Sequence, residues 1–263
     1  MVRATFAKFS ADRGTHLAAM IAYFALLSFV PLIFLALALL SLGGRETESS
    51  YFVEELQKIF PSASVSSIVS GVDKIRRNAT SLGLIGAAFL LWSSLSLFSV
   101  LESAFNIVYG RPNRSFLHGK ARATLFMLVG LITLFLGLLV GGVGAHTLDR
   151  FAPGFLSNTI VAHAVSVLVS SVAIFIFLIC AYRFLTNVEL TLAQVLPGSI
   201  VATVVLEATF QVLPIFLGFS KHNPSAQVIG APLLLLIWLY VMAIVIVFGA
   251  EINWRRSSSP RQP

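Results

Sequence analysis

The sequence predicts an all-α, polytopic membrane protein, a bundle of six transmembrane helices with a short amphipathic helical loop on the extracytoplasmic side. Three observations predict it. Of 263 residues, 57% are hydrophobic and only 11% are charged, whereas a soluble domain carries about 25% charged residues. The mean hydropathy is +0.90, and several apolar stretches exceed the roughly 18 residues that mark a membrane helix. Basic residues gather near the ends of those stretches, where they set topology and meet head groups.

Arg3, Lys8 and Arg13 precede the first apolar run in the order of a secretory signal, and Ala36-Leu37-Ala38 resembles a cleavage site. The run from Leu17 to Leu42 is too long for a signal core of about 7 to 15 residues, so it reads as an uncleaved first helix. Polar punctuation then gives six spans, at about 17–42, 82–107, 122–144, 160–185, 195–219 and 228–251. At 1.5 Å per residue each can cross about 30 Å of hydrocarbon. They form one domain over 1–256, and the Ser- and Pro-rich tail 257–263 reads as disordered.

With a cytoplasmic amino terminus, eleven of the 18 Lys and Arg residues fall inside, and five of the other seven lie in the long first loop. Both termini are therefore expected in the cytoplasm. The loop 43–81 carries two helical patterns, with Phe52, Leu56, Ile59 and Phe60 on one face and Val65, Ile68, Val69, Val72 and Ile75 on another. It reads either as a cap on the bundle or as a lid over an outward cavity. Gly137 and Gly141 form a GxxxG for close helix approach.

Charged side chains inside spans are costly and mark candidate sites, with helix packing as the competing explanation. Glu102, Arg183, Glu207 and Glu251 qualify, and Asp12, His16, Asn106 and Asn253 join three of them at the cytoplasmic side. On the second span, Ser96, Ser99, Ser103, Asn106 and Glu102 paint a polar stripe. Asp12, His16 and Tyr23 share a face on the first helix, and the two faces are expected to meet, with Arg183 neutralising one or more of Asp12, Glu102 and Glu251. Such a cluster is either a pathway or an interhelical lock. Glu207 lies mid-span, aligned with Thr203 and Gln211 and followed by Pro214, which frees backbone groups for a kink. It reads either as a protonatable group on a transport route or as a hydrogen bond to a neighbouring helix.

Other chemistries lack their residues. The five histidines are scattered, Cys180 is the sole cysteine, and no HExxH, CxxC, Walker loop or GxSxG occurs. No cofactor or metal is expected. The net charge of +7 follows topology rather than a nucleic-acid footprint, so membrane lipids, and a lipid or small-molecule substrate, are the expected partners. The oligomeric state leaves no motif.

Four stretches carry a family resemblance: AAMIAYFALLSFVP from Ala18 to Pro31, LWSSLSLFSVLESAFNIVY from Leu91 to Tyr109, LPGS from Leu196 to Ser199, and WLYVMAIVIVFGAEIN from Trp238 to Asn253. Together they resemble the YihY/virulence factor BrkB family, also labelled ribonuclease BN. Tyr23, Ser28, Pro31, Trp92, Asn106, Pro197, Gly198, Trp238, Tyr240, Gly249, Glu251 and Asn253 match its pattern. The resemblance implies a six-helix bacterial inner-membrane protein linked to envelope function, with lipid export in some members, and transfers no catalytic role. The residues themselves give the ribonuclease label no support. The expected function is transporter-like or lipid-handling, the alternative a scaffold that organises envelope partners, and an enzyme ranks behind both.

Overall fold

Long apolar runs leave the backbone no water to bond with, so intrahelical bonding is the available solution. The computed structural model follows that rule, and it describes residues 2–42, 79–115, 117–130, 159–222 and 231–258. Among these, all regular structure is helical: α1 (Val2–Ala11), α2 (Gly14–Leu42), α3 (Ala79–Val108), α4 over 117–130, α5 (Thr159–Cys180), α6 (Leu192–His222) and α7 (Ala231–Ser258). A single π turn, Ala181–Leu185, prolongs α5. The stretches Val167–Leu185, Leu192–Val212 and Leu235–Ser257 are long and apolar enough to cross a bilayer, and Gly14–Ser28 and Leu95–Val108 are shorter apolar helices.

The expected loop helices before residue 79, the GxxxG of Gly137 and Gly141 and the later part of the third span lie outside the described residues, while 79–81 already belong to α3. Two boundaries differ from expectation. The chain start forms its own helix, because Arg13 adopts a left-handed conformation (φ 53°) that ends α1 and turns the chain into α2. At the other end α7 continues through Ser258, with the Ser257 hydroxyl donating to the Trp254 carbonyl, so the tail is ordered two residues beyond the expected boundary.

The chain packs as two compact units, one of Met1–Leu26, Leu95–Phe126 and Val169–Pro263, the other of Leu27–Ser94 and Met127–Leu168. In the second unit the Ser28 hydroxyl donates to the Ser93 carbonyl at 2.6 Å, joining α2 to α3. In the first, α6 packs on α7 and α1 on α7. Small residues at the helix contacts, Ala18, Ala22, Ala104, Ala202, Ala243 and Ala250, are almost wholly buried and let backbones approach closely. The outward faces stay apolar, with Val172, Ile176, Val204 and Val241 exposed, as a lipid solvent requires.

The backbones of α6 and α7 approach closely at Gly198 and Gly249. The Asn253 side-chain oxygen accepts from the Gly198 backbone N–H at 2.7 Å. A Cβ on Gly198 would collide with the Gly249 carbonyl and the Asn253 amide, and one on Gly249 with the Tyr182 hydroxyl. That hydroxyl donates to the Ile246 carbonyl at 2.8 Å, pinning the π turn to α7.

Candidate functional site

Two cations organise the polar residues of the first unit, and each closes a helix end while pairing with a buried acid. Lys8, on α1, donates to the Val108 carbonyl at 2.8 Å, satisfying an orphan acceptor at the end of α3. Its Nζ also pairs with Asp12 four residues on, lies 3.0 Å from Glu251 Oε2 and stacks 4.2 Å from the Trp254 ring centroid. The Glu251 side chain is fully buried. Two carboxylates thus share one ammonium, and neither Glu251 oxygen accepts a well-directed hydrogen bond among the described residues. Phe6 and Phe9 pack on Phe248, which seats α1 against α7.

The second cation is Arg114. It donates to Glu102 Oε1 at 2.9 Å, to the Leu185 carbonyl at 2.8 Å and to the Thr186 carbonyl at 2.6 Å, so a planar fork joins α3 to the end of the π turn. The turn that delivers Arg114 begins at Gly110, whose left-handed φ of 61° ends α3. Gly110 N–H bonds to the Ile107 carbonyl and Arg111 N–H to the Asn106 carbonyl, the paired contacts of a Schellman motif.

The polar stripe on α3 is real, but its cover differs from expectation. Asn113 donates to the Ser103 hydroxyl, Lys120 to the Ser99 hydroxyl and Arg114 to Glu102, so these three side chains lie over it. Asn106, buried completely, donates to Asn113 and accepts from the Asn187 N–H at 2.6 Å. The face expected from α2 is absent. Arg13 breaks the helix between Asp12 and His16, and both His16 and Tyr23 are exposed.

Arg183 is also not the neutralising cation. Tyr182 and Leu185 take the buried positions of the π turn, and Arg183, half-buried, makes no ion pair among the described residues. Lys8 and Arg114 fill that role instead. Sequence reading assigned both to topology, and the signal that marks them is their placement just before or after a helix end.

Glu207 accepts hydrogen bonds from Ser170 on α5 at 2.9 Å and from Gln211 at 3.0 Å. Further buried polar atoms have no partner among the described residues: Tyr109 Oη, Thr203 Oγ1 and Asn253 Nδ2. Burial, with the Glu251 charge adding to it, holds the Tyr109 hydroxyl well above the ordinary tyrosine range, so it remains a neutral donor. No three of His, Cys, Asp and Glu come together as a metal site among the described residues.

The profile of a family described as Virulence factor BrkB matches residues 5–262. The chain belongs to the virulence factor BrkB family. Its relatives include a ribonuclease-like protein, YfkH, of Bacillus subtilis, 26% identical over 94% of this chain and 92% of the relative. UPF0761 membrane proteins of Aliivibrio fischeri and Vibrio vulnificus are 28% and 25% identical, covering 92% and 96% of this chain and 78% and 80% of theirs. No solved structure matches the chain. With these relatives and its apolar helices, this BrkB-family chain is a membrane protein. Among the family-pattern residues quoted above, Gly198, Gly249 and Asn253 form the α6–α7 contact, Glu251 is the buried acid and Asn106 joins α3 to Asn187.

Proposed function

We propose that this BrkB-family protein is a six-span protein of the bacterial inner membrane, with both termini cytoplasmic and residues 43–81 on the opposite side, that moves or handles lipid or an amphiphilic small molecule. One observation carries the reading. Glu251 is buried at the end of a membrane-spanning helix and shares the single ammonium of Lys8 with Asp12. An acid held that way costs stability unless a proton or a passing group completes its neutralisation, and intramembrane acids of this kind mark transport routes. The Tyr109 hydroxyl, without a partner among the described residues and kept protonated by burial and by the Glu251 charge, supplies a neutral donor for the same route.

Asp12, Glu251, Asn253 and Asn106 are the route residues on this reading, and Glu102 is a structural partner of Arg114. Glu207 and Gln211 favour the second reading, a non-transporting scaffold, because the Ser170 and Gln211 bonds satisfy both carboxylate oxygens. The ribonuclease-like name of the Bacillus relative finds no counterpart in a metal cluster among the described residues. Reconstitution into liposomes separates the readings: lipid scrambling and small-solute flux are expected from the wild-type protein and reduced in Glu251→Gln. No flux across a broad panel of lipids and ions would leave the scaffold.

A further inference from the structure

A pocket of about 470 Å³ opens beside α4, lined by Arg114, Ser115, His118, Arg122 and Asn187, with Ala121 and Leu125 as its apolar wall. We propose that it binds the phosphate of an anionic phospholipid, with the head group among the basic side chains and the start of an acyl chain along α4.

The polar lining is cationic or neutral, and no carboxylate is among it. The Arg114 in that lining is paired with Glu102, whose side chain is only 5% exposed. Arg122 spends one N–H on the Phe184 carbonyl, at 3.1 Å, and the rest of its fork is free among the described residues. The His118 Nδ1 contacts the Ser115 hydroxyl at 2.7 Å, which fixes the ring and leaves Nε2 without a partner among the described residues. A guanidinium fork and a fixed imidazole converging on one space are the donors that a phosphate diester takes.

The location selects lipid over soluble phosphate. The pocket borders the start of α4 and the residues just after the apolar stretch Val167–Leu185, so it lies where apolar helices end and water begins. Leu117, Ala121 and Leu125 follow at steps of four on α4, and Leu117 and Leu125 are 77% and 62% exposed. A basic stripe of His118 and Arg122 runs beside that apolar stripe. Basic pockets between spans at a membrane surface suit anionic head groups, and the volume exceeds what an inorganic phosphate fills.

The inference rests on the membrane setting proposed above and not on transport: a protein that binds this lipid and moves none would sustain it while removing the transport reading. The test is native mass spectrometry of the delipidated full-length protein titrated with phosphatidylglycerol or phosphatidylcholine. Phosphatidylglycerol is expected to bind preferentially, and His118→Ala/Arg122→Gln to weaken it about tenfold, as loss of charge-assisted hydrogen bonds does. Arg122→Lys, which keeps the charge and loses the fork, is expected to fall between and gives a reading even if the double variant fails to fold. Equal binding of the two lipids, or phosphatidylglycerol affinity unchanged in either variant, would overturn the proposal. Inorganic phosphate is the third arm: displacement of the lipid by phosphate at equal concentration would assign the pocket to a soluble anion and overturn the lipid.

Discussion

At Lys8 a single ammonium serves Asp12, Glu251, the Val108 carbonyl and the Trp254 ring. Removing it leaves Glu251 buried and unpaired, which costs about 3 kcal/mol or more. Lys8→Ala is therefore expected to lower stability in detergent by that amount, measured by chemical or thermal unfolding. Adding Glu251→Gln to Lys8→Ala should recover part of the loss, since the neutral amide no longer needs a counter-ion; an equal loss in both backgrounds would show the pair to be uncoupled. Such pairs were only half legible in the sequence. The acids announced themselves by their cost inside apolar runs, whereas Lys8 and Arg114 looked like ordinary flanking charges. A long cationic side chain reaches across a hundred residues of sequence, and no local pattern records where its head group lands.

Between elements, two glycines set how closely α6 and α7 pack. Gly198→Ala and Gly249→Ala each place a methyl against a neighbouring backbone carbonyl, amide or hydroxyl, and overpacking of this kind costs about 1–3 kcal/mol. Both variants should lower the melting temperature; melting unchanged in both would mean that the helices separate freely there. Gly110→Ala should cost about 1 kcal/mol for a different reason, the left-handed φ that closes α3. Helix ranges were legible because length and apolarity dictate them: α3 and α6 take in 82–107 and 195–219, and α7 takes in the described part of 228–251. The break after α1 was not, because Arg13 takes a left-handed conformation that sequence assigns to glycine or asparagine. That one residue separated Asp12 from His16 and undid the expected shared face. The stripe on α3 was legible as a stripe, but its cover came from Asn113, Arg114 and Lys120, whose spacing lacks the periodicity of a helix facing it.

For the whole molecule, the distribution of basic residues predicts both termini in the cytoplasm. With Cys180 replaced by alanine, a single cysteine at Ser50 should react with a membrane-impermeant maleimide on intact spheroplasts, and one at Ser257 only after permeabilisation. The reverse pattern would invert the topology and move the Lys8–Glu251 centre to the other face. A route through Glu251 is tested by lipid scrambling in liposomes by wild-type protein and Glu251→Gln, compared at matched reconstitution and matched melting temperature. Glutamine keeps the shape of the acid, replaces one acceptor oxygen with an NH2 donor and removes the charge. Flux is expected in the wild type and its loss in the variant with folding intact; equal flux in both would overturn a route through Glu251 and leave it as a packing residue alone.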